Sequence, residues 1–174
     1  MTKLLRITAL AASVAATAIV AMPAAAAPVG AATPATARAR IVKPLVLTRV
    51  ANLDFGTITL GTVAAGGETV AMSQLGVVTC GSGGLTCSGT PVAAEYNVTG
   101  TNNQVVQIVA VASSLTNAND ATTLSFTPDA PATATLPNSG TTGINFNLGG
   151  SITILPATTD GVYTGNIDVT VDYQ

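Results

Sequence analysis

From Ile167 onward the side chains alternate without a break. Ile167, Val169, Val171 and Tyr173 fall on one face, and Asp168, Thr170, Asp172 and Gln174 on the other. Successive side chains of a strand point to opposite faces, so the stretch predicts a half-buried β-strand with one wet side. The sequence offers no further strand after it, and an unpaired strand edge exposes a row of main-chain donors and acceptors. What lies beside this terminal strand is the question the chain poses.

The opening residues read as an address. Lys3 and Arg6 precede an apolar run from Ile7 to Ala21, and Ala24-Ala25-Ala26 supplies the small residues of a cleavage site. Residues 1–26 are therefore expected to be a signal peptide, and the protein to be exported through the periplasm to the cell surface or medium, with no membrane span in the mature chain. Residues 27–38 are expected to be a flexible N-terminal arm and residues 39–174 a single domain.

Charged residues make up only 8% and aromatics 3% of the sequence, while Gly, Thr, Asn, Ser and Ala abound beside Val, Ile and Leu. No mature stretch holds the apolar repeat of an amphipathic helix. Many short strands joined by turns are expected instead, about 8–10 of them, in an all-β immunoglobulin-like sandwich; a closed barrel is the alternative. Pro44 confines Arg38 to Val50 to an edge strand or two pieces with a bend. Beyond Gly56 the apolar parity shifts from Leu53 and Phe55 to Ile58 and Leu60, as at a bulge or corner. Gln104 to Ala112 is apolar enough for a strand buried on both faces. Ile144, Phe146 and Leu148 precede Gly149-Gly150 and then Ile152 and Ile154, which reads as a hairpin with a two-residue turn.

Cys80 and Cys87 flank Gly-Ser-Gly-Gly-Leu-Thr. In an exported chain so close a pair predicts a disulfide clamping a hairpin tip, worth about 2.5 kcal/mol for an eight-residue loop.

The charges are sorted along the chain. The basic residues after the signal peptide are Arg38, Arg40, Lys43 and Arg49, and every one of the 8 acids lies at or after Asp54. Such polarity bears on association rather than fold. So few cations without stacking aromatics argue against a nucleic-acid partner. A basic arm docking on an acidic body, its own or another copy's, fits better.

The sequence contains no His. That removes the usual general base, the Ser-His-Asp and Cys-His arrangements and most zinc sites. Asp168 and Asp172 share a face but stand about 13 Å apart along a strand, too far for glycosidase chemistry. Asn117 to Asp120 and Thr158 to Asp160 have calcium-like composition but lack a full acidic loop, and Asn and Asp are ordinary turn formers. Tyr96, Tyr163 and Tyr173 sit at apolar-face positions and read as core. The expectation is a non-enzymatic protein with no catalytic residue, cofactor or metal.

Two motifs carry a family resemblance. Leu53-Asp-Phe-Gly56 follows the arm, and Gly161-x-Tyr163-x-Gly165-x-Ile167-x-Val169-x-Val171-x-Tyr173 closes the chain. Together they resemble an uncharacterised family of small secreted alphaproteobacterial domains, itself similar to spore-coat-protein-U-like proteins and chaperone–usher pilins. The resemblance implies an incomplete immunoglobulin-like sandwich whose missing strand comes from the N-terminal extension of the next subunit. A periplasmic chaperone would fill the gap beforehand and an outer-membrane usher would assemble the fibre. On this view Arg38, Ala39, Arg40, Ile41 and Lys43 belong to the donor arm, and Ile167, Val169, Val171 and Tyr173 to the acceptor strand. Two departures stand out. The pilin disulfide ties the first strand to a later one, whereas Cys80 and Cys87 are near neighbours. Ala27 to Ala37 also lacks the bulky alternation of a donor, so the donor either borrows from Arg38 to Leu47 or fills a shallow groove. The rival expectation is a monomeric secreted module binding a glycan or matrix component, with the arm folded back on its own sheet.

Overall fold

The computed structural model describes residues 28–138 and 142–174; the expected signal peptide, residues 1–26, lies outside them. The chain divides into two units, Met1–Ala39 and Arg40–Gln174. In the first, residues 28–39 form no strand and all are exposed, as Ala, Pro, Thr and Gly with Val29 the one bulky apolar side chain dictate.

The second unit is an all-β sandwich of immunoglobulin type, and no helix occurs among its described residues. Its strands are β1 (Val46–Ala51), β2 (Thr57–Leu60), β3 (Glu68–Met72), β4 (Val78–Thr79), β5 (Leu85–Ser88), β6 (Ala94–Thr99), β7 (Val105–Val111), β8 (Ser113–Asn117), β9 (Thr123–Asp129), β10 (Thr133–Thr135), β11 (Ile144–Ile154), β12 (Tyr163–Thr164) and β13 (Asp168–Tyr173). The large sheet runs β1-β6-β11-β9-β8-β12, with β3 on β11 and β4 on β3. A second sheet runs β10-β7-β13, and β2 pairs with β5. The count exceeds the sequence expectation because pieces such as β4, β10 and β12 span only two or three residues.

Two buried clusters fill the interior. Phe55, Val70, Met72, Leu124, Phe126, Leu148, Ile152 and Ile154 form the larger. Val98, Val106, Ile108, Leu136 and Phe146 form the smaller. Tyr96 and Val169 pack against both.

Several local expectations need correction. Gly149-Gly150 is no turn: β11 runs straight through it, pairing with β6 over Ile144–Leu148 and with β3 and β9 beyond. The glycines are there for close approach. A Cβ on Gly149 would stand 2.2 Å from the Met72 carbonyl oxygen, and one on Gly150 2.5 Å from the Phe126 ring. The run centred on β7 lies between two strands but is buried on one face only, with Val105, Val109 and Val111 facing outward. Valine there serves the extended backbone, not the core.

The Cys80–Cys87 disulfide is formed, with a Cα–Cα distance of 5.9 Å. It closes no hairpin, because β4 pairs with β3 whereas β5 pairs with β2. The loop it closes caps the buried Glu68, whose carboxylate accepts the main-chain N–H groups of Gly83 and Gly84 at 3.2 and 3.1 Å. The corner at Gly56 is as expected. Its φ is +78°, a Cβ would meet the Ser88 carbonyl oxygen at 2.5 Å, and the chain turns there into β2.

Candidate functional site

The terminal strand has one partner. Residues Asp168 to Tyr173 of β13 pair antiparallel with Val111 to Val106 of β7, and no strand pairs with the other edge among the described residues. Ile167, Val169, Val171 and Tyr173 are half-buried and pack on the core clusters, while Asp168, Thr170 and Asp172 are exposed. The free edge of β13 therefore belongs to a strand whose inner face is already anchored.

A groove of about 1370 Å³ opens beside it. One wall is Arg49 to Ile58, from the end of β1 to the start of β2; the other is Thr158 to Asp168, leading through β12 into β13. The floor comprises Ala94, Leu124, Phe126, Ile152 and Ile154, residues of the larger core cluster. β1 also ends its sheet, and the groove touches the ends of both edge strands, β1 at Arg49 and Ala51 and β13 at Asp168. Its polar lining carries three carboxylates, Asp54, Asp160 and Asp168, against the single guanidinium of Arg49. Tyr96, lower in the groove, stacks on Phe146 with ring centroids 5.7 Å apart, and burial raises its phenol pKa.

The second wall is held by a polar clasp. The two patches of calcium-like composition meet here. Buried Asn117 donates from Nδ2 to the Asp160 carbonyl at 3.0 Å and accepts from the Asn119 N–H at 3.0 Å. Asp120 accepts from the hydroxyls of Thr159 and Thr122, both at 2.7 Å, and from the Thr122 N–H at 3.0 Å. Tyr163 donates its hydroxyl to the Thr159 carbonyl at 2.8 Å. These oxygens tie the β8–β9 turn to the wall. Composition marked both patches, but only the pairing of β8 with β12 brings them together.

The expected donor residues divide between the units. Arg38 and Ala39 are exposed in the first. Arg40 donates to the Gln174 carbonyl at 2.8 Å and to Gln104 Oε1. The Lys43 N–H donates to Thr101 Oγ1 at 2.6 Å, and the Lys43 carbonyl accepts from the Tyr173 hydroxyl at 2.7 Å. Between them Ile41 is 92% exposed and lies outside β1. The chain is thus fastened to its own domain from Arg40 onward, which limits any free donor to the residues before it.

Two carboxylates set an acid limit on this framework. The Thr159 hydroxyl, followed by those of Thr122, lowers the Asp120 pKa; the Gly84 N–H, opposed by burial and aided by Gly83, lowers that of Glu68. Both groups therefore bind fewer protons folded than unfolded. Their stabilisation is complete above the unfolded carboxyl values of about 4 and is lost as pH falls through the lower folded ones. Melting temperature should be level near pH 6 and fall below about pH 4. The double variant Asp120→Asn, Glu68→Gln should show a shallower acid limb in thermal melts; an unaltered limb would contradict the assignment.

No curated protein and no solved structure matches the sequence significantly. A family defined by a domain of unknown function, DUF4402, matches over residues 45–173, from just before β1 to the end of β13. The match takes in both walls of the groove and its floor, and the chain belongs to that family.

Proposed function

We propose that this chain is a non-enzymatic structural subunit of a bacterial surface fibre or coat, in which the groove of one copy accepts the N-terminal segment of the next. The observation that carries this reading is an open groove, floored by core side chains, that reaches the ends of two edge strands, β1 and β13. An entering strand would cover apolar surface and pair main-chain groups at once, the mode of recognition by strand addition. The charges agree. Arg38 lies in the exposed arm and three carboxylates line the groove. Export, a periplasmic chaperone holding the groove before assembly and an outer-membrane usher complete the proposal.

One set of contacts favours a second reading. Arg40 and Lys43 fix the base of the arm beside the end of β13, so the arm could turn back into its own groove and leave a monomeric secreted binding module. Light scattering and unboiled SDS gels separate the two. The mature chain from Ala27 should form detergent-resistant ladders, and a chain beginning at Arg40 should stay monomeric. If both remain monomeric, the fibre reading is lost.

A further inference from the structure

β2 and β5 stand apart from both larger sheets. Among the described residues they pair only with each other, Thr57 to Leu60 against Ser88 to Leu85. The Gly61 N–H carries the pairing one step further, to the Gly84 carbonyl. A lone two-stranded ribbon is marginally stable in water, so other forces must hold this one down. Part of the hold is apolar, because Ile58, Leu85 and Cys87 are half-buried against the larger core cluster. The same ribbon helps to wall the groove, which Thr57, Ile58 and Leu60 line.

Two fastenings join the ribbon to the large sheet, one toward each end. Cys87, opposite Ile58 in the ribbon, is bonded to Cys80, which directly follows β4. At the other end Glu68, the first residue of β3, accepts the N–H groups of Gly83 and Gly84. The loop fits this carboxylate closely: a Cβ on Gly81 or Gly83 would stand 2.8 Å from one of its oxygens. A disulfide within one hairpin would only reinforce a ladder. This one joins two sheets that share no ladder among the described residues.

We propose that the β2–β5 ribbon is a redox-controlled flap of the groove, held shut by the Cys80–Cys87 disulfide and released when a dithiol reduces it. The dithiol passes two electrons and two protons to the disulfide and leaves as a disulfide itself, and Cys80 and Cys87 become thiols. A disulfide oxidant reverses the step and closes the wall. The bond is within reach, since both cysteines are only half-buried and Ser82 and Gly83 are exposed. After reduction β5 keeps only side-chain contacts and the Glu68 bonds, whereas β3 stays in its ladder with β11 and β4 in its ladder with β3. The ribbon therefore opens before the sheets do. The groove is complete only in the oxidised chain, and this holds whatever occupies it.

Amide hydrogen exchange on the mature full-length protein, oxidised and then reduced with dithiothreitol, reads the flap directly. Residues 57–61 and 85–88 should exchange about fiftyfold faster after reduction, as the loss of an eight-residue disulfide loop implies, while β6, β9 and β11 keep their oxidised rates. Fluorescence of the apolar dye anilinonaphthalene sulfonate should rise as the core cluster under the ribbon is bared, and fall again on reoxidation. The double variant Cys80→Ser, Cys87→Ser should match the reduced protein with no dithiol present. Glu68→Gln in the oxidised chain should free Gly83 and Gly84 but leave Thr57 to Leu60 slow, because the disulfide still holds. Three results would each overturn the proposal. Exchange that rises uniformly through the sheets would make the disulfide a staple of the whole fold. A ribbon as slow reduced as oxidised would be held by its apolar contacts alone, and one freed by Glu68→Gln alone would have the carboxylate as its latch.

Discussion

Gly150→Val should lower the stability of the domain by about 3 kcal/mol or more, a large share of what holds it folded. Gly150 lies in the middle of β11 with β3 on one side and β9 on the other. A Cβ there would sit 2.5 and 2.6 Å from two ring atoms of Phe126 and 2.7 Å from the Thr127 carbonyl oxygen. Phe126 is 1% exposed and sits edge-on to Phe55, 6.3 Å between centroids, so a shift of the ring has to displace Phe55 or disturb the groove floor. Overpacking a dense core costs about 1–3 kcal/mol for added methylenes, and a branched side chain against a fixed ring belongs at or above the top of that range. Single domains hold only about 5–15 kcal/mol in total. Gly66→Val is the control, since nothing lies within 4 Å of the Cβ position at Gly66. Denaturant unfolding should place the control near wild type and Gly150→Val far below it. Equal midpoints would mean that β11 is not continuous through the core.

The same strand shows where the sequence could be read further than its turn signal. Facing residues of a hairpin share a face. With Gly149-Gly150 as a two-residue turn, Leu148 would oppose Ser151, and Ile152 and Ile154 would look toward water. In fact Phe146, Leu148, Ile152 and Ile154 hold one parity straight through the glycines and are all buried. Unbroken parity was the better signal, and the glycine pair was read as a turn on composition alone. β13 was legible for the same reason, since its alternation survives intact in the fold. β7 was legible as a strand but not in its burial, because β-branched residues suit extended backbone whether or not water covers them.

The groove was legible only in part. The parity of Ile167 to Tyr173 pointed to a strand with an inner face, and the family resemblance suggested a missing neighbour. Nothing in residue order could place Arg49 to Ile58 opposite Thr158 to Asp168, because those walls come from distant parts of the chain. The base of the arm was also hidden. Arg40 and Lys43 were expected in a donor arm, yet one donates through its guanidinium to a main-chain carbonyl of its own domain and the other is held there by its backbone.

Asn117→Ala should weaken both the fold and the groove wall. The side chain is 2% exposed and ties the β8–β9 turn to the second wall: its amide donates to the Asp160 carbonyl and to Thr159 Oγ1, and its oxygen accepts the Asn119 N–H. Truncation leaves a carbonyl and an N–H without that partner inside a cavity of the removed side chain's size. Asn119 and Asp160 are themselves exposed, so water replaces part of what is lost, and a cost of about 1–3 kcal/mol is expected for the two bonds together. The loss should also be local. Gly161 packs so closely that its Cβ position lies 2.4 Å from Asn117 Oδ1, so the wall rests on that amide. Amide hydrogen exchange should accelerate most across Thr158 to Thr164, with β6 and β11 changed only as far as global stability falls. In the fibre reading the loosened wall presents a poorer seat for an incoming strand, and assembly should slow even at temperatures where the variant is fully folded. Asp120→Asn keeps the Asn117 contacts and should be milder on every readout. If Asn117→Ala instead accelerates exchange uniformly and assembles at the wild-type rate, the clasp supports the fold as a whole and has no separate part in the groove.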